Sequence, residues 1–125
     1  MRVLVAEDEP LAAMVIEEAL IERGHEVMLA PDGAAALDLA RHRVFDILLT
    51  DLAMPRLTGF ELISRLRADH PRLPVVVMTG FLPPGSGQVL FADAEGPLVV
   101  LHKPFDIAQL LAAMQRVAPP AEAED

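Results

Sequence analysis

The chain has 125 residues, no internal repeat and a hydrophobic content of 53%, which is enough for one domain with a real core. Its formal charge of −9 opposes direct contact with nucleic acid, whose recognition rests on a basic footprint, and the absence of cysteine removes disulfide and thiolate chemistry. No apolar run approaches membrane-spanning length, and the opening "MRVLVAEDEP" ends in acids rather than a small-residue cleavage site, so the expectation is a cytoplasmic protein that makes no membrane contact.

"RVLVA" (2–6) is a short apolar run that reads as a strand. "EDEPLAAMVIEEALIERG" follows as a helix, with Ala12, Val15, Ile16, Ala19 and Leu20 at helical spacing, Glu17, Glu18 and Glu22 on the wet side, and Gly24 as its stop. "HEVMLA" is a second strand, Asp32 and Gly33 a turn and cap, and "AAALDLARHR" a short helix. The unit then repeats. "FDILLTD" is the third strand, "TGFELISRLRADH" a helix with Leu62, Ile63 and Leu66 inward, and "LPVVVMTG" the fourth strand. "GPLVVLHKPF" carries the fifth strand. Asp106 and Gln109 form a capping box for a last helix whose apolar stripe is Ile107, Leu110, Leu111 and Met114. "APPAEAED" reads as a polar tail.

Strands that alternate with helices imply parallel pairing with helices on both faces, and near-continuous Val, Leu and Ile runs fit strands buried on both sides. In such α/β sheets ligands bind at the carboxyl ends of the strands. Those ends carry Glu7 and Asp8 (first), Asp51 (third), Thr79 (fourth) and Lys103 followed by Pro104 (fifth), whereas the second ends in Ala30 and Pro31. Three crowded carboxylates repel one another unless positive charge is supplied. Lys103 and a divalent cation would supply it, and a few oxygen ligands suit Mg²⁺, which keeps several waters and often shares its remaining positions with phosphate.

Four separated motifs, "VLVAEDEP", "ILLTDLAMP" with Gly59 downstream, "VVVMTG" and "HKPF", make the chain similar to a receiver domain of a bacterial two-component response regulator over residues 1–118, leaving 119–125 as a disordered acidic tail. The resemblance implies an α/β, doubly wound, five-stranded parallel sheet of flavodoxin-like order 2-1-3-4-5. It implies Asp51 as phosphoacceptor, Asp8 as a direct Mg²⁺ ligand, Glu7 holding the ion through water, and Ala53 lending its backbone carbonyl. Thr79 would bond the phosphoryl group and Lys103 would pair with it. The bond before Pro104 is expected to be cis. The phosphoryl donor would be a histidine kinase or a histidine phosphotransfer protein, and the output a change in protein–protein contacts. The chain would be a self-phosphorylating and self-dephosphorylating acceptor rather than a turnover enzyme.

Two positions depart from that pattern. Val100 stands where receivers usually carry an aromatic residue three before the lysine. Within 81–97, "FLPPGSGQVLFADAEGP", the prolines and glycines should forbid helix before about Gln88, leaving at most a short fourth helix from Gln88 to Asp93. Such a loop resembles both stand-alone regulators and the receiver modules of hybrid histidine kinases, and Met1 and the tail favour the stand-alone form.

Three other functions compete. A flavin carrier needs a Ser, Thr and Gly rich phosphate loop after the first strand, where "EDEP" would repel phosphate. A phosphatase of the haloacid dehalogenase class needs a second aspartate two residues after the first, where Ala53 stands. A receiver-shaped interaction module that acts without phosphorylation would be expected to lose its acidic site, yet every required residue type is present. The histidines His25, His42, His70 and His102 lack ligand spacing, and the six methionines read as core filler.

Overall fold

The computed structural model describes residues 1–91 and 96–118. Along the chain run β1 (Arg2–Ala6), α1 (Pro10–Glu22), β2 (Glu26–Ala30), α2 (Gly33–His42), β3 (Ile47–Asp51), α3 (Gly59–Asp69), β4 (Val75–Thr79), α4 (Ser86–Phe91), β5 (Leu98–His102) and α5 (Ile107–Val117). All strand pairs are parallel, in the order β2-β1-β3-β4-β5. This is the doubly wound, flavodoxin-like α/β sheet expected from the alternation of short apolar runs with helical patterns.

Successive side chains of a strand point to opposite faces, so each strand feeds two cores. On one face Val3, Val5, Ile47, Leu49, Val76 and Met78 pack with Ile16 and Leu20 of α1 and Leu110 and Met114 of α5. On the other, Leu4, Leu48, Val75 and Val77 pack with Leu62 and Leu66 of α3 and Leu90 of α4. β1, β3 and β4 are dry almost throughout, while the outer strands β2 and β5 are mostly half-buried because each has a neighbour on one side only.

Local chemistry sets the helix ends. Pro10 opens α1, where its missing N–H is no loss, and Gly24 ends the turn behind it with φ +85°, a left-handed conformation that glycine adopts without a Cβ clash. The Asp32 carboxylate accepts from the Ala35 N–H and caps α2. Thr58 with Glu61, and Asp106 with Gln109, form capping boxes on α3 and α5. The first of these was not anticipated from the sequence, although its T-x-x-E signature is present.

Three expectations need correction. Val15 is 57% exposed, and Ala13 is buried instead. Helix α1 carries more apolar residues than one stripe can bury, with Leu11, Met14, Val15 and Ile21 all exposed, so periodicity alone could not say which of them would meet the sheet. Helix α4 begins at Ser86 rather than Gln88: Gly85 takes φ +84°, and the Ser86 N–H donates to the Pro83 carbonyl, closing a turn that places Gly87 in the first helical turn. Residues 92 and 93 of the expected helix, and the tail 119–125, lie outside the described residues. Finally, Met1 and Met14 are exposed, not core filler.

Candidate functional site

The carboxyl ends of β1, β3, β4 and β5 bring the polar residues of four separate motifs to one rim. β3 runs buried to its last residue, Asp51, whose register partner on β4 is Met78. Gly59 fixes the turn that follows. A Cβ there would stand 2.2 Å from the Asp51 carbonyl oxygen, so only glycine lets α3 begin against this backbone, and its N–H donates to the Leu52 carbonyl at 3.0 Å. Within the same turn the Ala53 N–H donates to Asp51 Oδ1 at 3.1 Å, which orients the carboxylate. Arg56 takes φ 73° in this loop, an unusual conformation for a residue with a Cβ, and reaches back to within 3.7 Å of Asp32.

Lys103 closes the site. Its backbone N–H donates to the Thr79 carbonyl at 2.8 Å, and the Lys103–Pro104 peptide bond is cis. The Lys103 ammonium donates to Asp51 Oδ2 at 2.8 Å and to Glu7 Oε1 at 2.9 Å. Burial works against the charge on this amine, but the hydrogen bonds to Asp51 and Glu7 outweigh it and raise the pKa to about 12. Glu7 is only 2% exposed, and burial raises its pKa; the ammonium of Lys103 and the Glu9 N–H, which donates to Glu7 Oε2 at 3.1 Å, pull the other way.

Asp8 is exposed at the mouth. One carboxylate oxygen from each of Glu7, Asp8 and Asp51 lies within 4.8 Å of the other two. Three carboxylates against one ammonium leave a formal charge of two negative, which a divalent cation would balance. The donor set is oxygen only, which suits a hard cation and excludes the nitrogen and sulfur preferences of zinc. The predicted residues Glu7, Asp8, Asp51 and Lys103 therefore meet, with Ala53 exposed beside them.

Thr79 stands at the neighbouring strand end, 3% exposed, but its hydroxyl is engaged elsewhere. It donates to the Phe81 carbonyl at 2.7 Å and accepts from the Phe81 N–H at 3.2 Å. Val100 is half-buried against the α2–α3–α4 core, and no ring occupies that position.

Sequence reasoning missed two features. The direct Glu7–Lys103 pair spans 96 positions, and its only sequence signal is the extra methylene of glutamate, which gives the longer reach. The Thr50 hydroxyl donates to the Asp51 carbonyl at 2.8 Å and so ties the backbone of that aspartate; a threonine before a strand-end acid carries no distinct signal.

The family model of the response regulator receiver domain matches residues 3–115. The chain belongs to that family. Among relatives, the response regulator MprA of Mycobacterium avium is 36% identical over 125 residues, covering 100% of this chain and 54% of its own length. The chain spans about half or less of the length of the curated relatives it matches. Among solved structures, the chemotaxis protein CheY4 of Vibrio cholerae superposes on this receiver with a TM-score of 0.85 at 32% identity, covering 93% of this chain and 97% of that one. The receiver domain of the sensor histidine kinase PA1611 of Pseudomonas aeruginosa, whose structure has magnesium coordinated in its active-site cleft, gives a TM-score of 0.80 at 32% identity, covering 93% and 95%. The acid cluster of the present receiver fits a metal site of that kind.

Proposed function

We propose that this receiver takes a phosphoryl group onto Asp51 from a phosphohistidine of a histidine kinase or a histidine phosphotransfer protein, and that the modified chain changes its protein contacts. The observation that carries the reading is the ammonium of Lys103 held between Asp51 and Glu7 at 2.8 and 2.9 Å, beside the exposed acid Asp8.

One Asp51 oxygen attacks phosphorus, the P–N bond to the donor imidazole breaks, and the imidazole leaves with its electron pair and takes up a proton. A carboxylate is a weak nucleophile in water, so the chain's contribution is position and field. The Ala53 N–H orients the carboxylate, and the buried β3 holds its backbone still. Lys103, kept charged by its two acids, turns to the transferring oxygens and offsets the charge gathering there. Asp8, Asp51 and the Ala53 carbonyl would hold Mg²⁺, with Glu7 behind them. When bound, Mg²⁺ neutralises charge on the phosphoryl oxygens. Water later attacks the acyl phosphate, which returns Asp51 and releases phosphate.

Among the described residues no helix is long and apolar enough to cross a membrane. Together with the charge of −9, this supports a cytoplasmic receiver that acts on protein rather than on nucleic acid, and we place its domain at residues 1–118. Incubation with acetyl phosphate and Mg²⁺ should add one phosphoryl group by intact mass. Chelation of the metal should prevent it, and Asp51→Asn should abolish it. A label that persists in Asp51→Asn would sink the assignment.

A further inference from the structure

We propose that the amino edge of the sheet, the end opposite the acid cluster, is a docking surface for an acidic segment of a partner protein, and that it holds that partner whatever the state of Asp51. Acids outnumber lysines and arginines by 19 to 10 in this chain, so an arginine without an acid beside it calls for a reason. Arg41, Arg43 and Arg72 are exposed at this edge, and none forms an ion pair among the described residues. The Phe45 and His70 rings meet edge to face with centroids 5.7 Å apart, which sets the loop after α2, carrying Arg43, against the loop after α3, carrying Arg72. Those loops lead into β3 and β4, which are neighbours in the sheet. The dipole of α2 favours a cation at Arg41 in its last turn, but Arg72 stands past the end of α3 and gains little from that helix.

Arg67 is the independent observation. Its guanidinium, half-buried in the last turn of α3, donates to the Leu73 carbonyl at 3.0 Å and the Pro97 carbonyl at 2.9 Å, while its Nε is buried without an acceptor among the described residues. A partly buried cation that meets only neutral acceptors is short of countercharge. Asp46 is held by Arg2 at 3.3 Å, and against the four arginines stand Asp38 and Asp69, so this part of the edge stays positive within an acidic chain.

The occupant is a short run of carboxylates on a protein. Arginine's planar fork takes a carboxylate through two parallel hydrogen bonds, and Val44, 65% exposed beside Arg43, adds an apolar contact. A nucleic acid fits less well, because its phosphates would extend along a chain whose total charge repels them, whereas a short segment covers the patch alone. The strands are five residues long, about 16 Å, which exceeds the Debye length of about 8 Å at physiological salt. Charge added at Asp51 is therefore largely screened from a partner at the opposite edge. The surface is also held in place, Phe45 by the core and the turn before β4 by Arg67, so docking orders little chain.

The test is a titration with capped hexaglutamate at low salt, followed by amide chemical shifts. The expected result is movement confined to residues 41–46 and 67–73. Arg43→Glu combined with Arg72→Glu, both exposed and remote from the acid cluster, should weaken binding about tenfold while labelling by acetyl phosphate is unchanged. With Mg²⁺ present throughout, adding beryllofluoride as a phosphoryl mimic should leave the affinity within about twofold. Unmoved amides at this edge, equal binding by the double variant, tighter binding of hexathymidylate than of hexaglutamate, or a larger change with beryllofluoride would each overturn the inference. The hexaglutamate titration does not need Asp51 to accept phosphate, so its failure and that of the phosphoacceptor reading are told apart.

Discussion

Replacing Lys103 with methionine removes the ammonium and keeps most of the apolar stem. The rise in pKa from 10.5 to about 12 is roughly 1.5 units, or about 2 kcal/mol at 1.36 kcal/mol per unit. The side chain is 24% exposed, so solvent screening brings its share nearer to about 1 kcal/mol. Glu7 adds a second loss, because it is buried and would keep only the Glu9 N–H; leaving such a charged group short of a partner costs about 1–3 kcal/mol. The sum at pH 7 is about 2–4 kcal/mol, read as a lower urea midpoint by far-ultraviolet circular dichroism. The sign of the pH dependence follows from Glu7. Its folded pKa is already raised by burial, and losing Lys103 raises it further, so its charged form destabilises the variant above that pKa. As pH falls through the raised value Glu7 takes a proton and the penalty fades. The gap between wild type and Lys103→Met measured at pH 7 should therefore narrow at an acidic pH. An unchanged midpoint at pH 7, or a gap of equal size at both pH values, would refute the reasoning.

Gly59→Ala should destabilise by about 2–3 kcal/mol, because its Cβ would press on the Asp51 carbonyl at 2.2 Å, and with Asp51, the proposed acceptor, displaced, the variant should label more slowly with acetyl phosphate. Urea titration and a labelling time course check the two effects separately. Thr58→Ala removes one half of the capping box on α3 and should cost about 1 kcal/mol, with labelling unchanged because the hydroxyl faces Glu61 and not the acids. Arg56→Gly relieves the left-handed backbone at φ 73° and should stabilise by about 1 kcal/mol, since the exposed pair with Asp32 at 3.7 Å contributes little. A thermal melt that moves down instead would show that the Asp32 contact outweighs the strain.

By itself the sequence determined the order of elements, the dryness of the central strands and the identity of the groups at the strand ends. Each of these is written in neighbouring residues: a run of Val, Leu and Ile, a proline or glycine where a helix stops, an acid after the last apolar residue. The ring-for-valine departure at Val100 and the broken segment after β4 were legible for the same reason. The tertiary structure decided which groups touch. Lys103 reaches both Glu7 and Asp51, 96 and 52 positions away, because parallel registry sets Ala6 beside Thr50 and Thr79 beside His102. It also decided that Ala13 rather than Val15 is buried, and that the Thr79 hydroxyl serves Phe81 and not the acid cup. Periodicity specifies what a helix or strand can bury, but a helix with more apolar residues than one face can bury, or a hydroxyl with several acceptors in reach, takes its orientation from neighbours that only folding supplies.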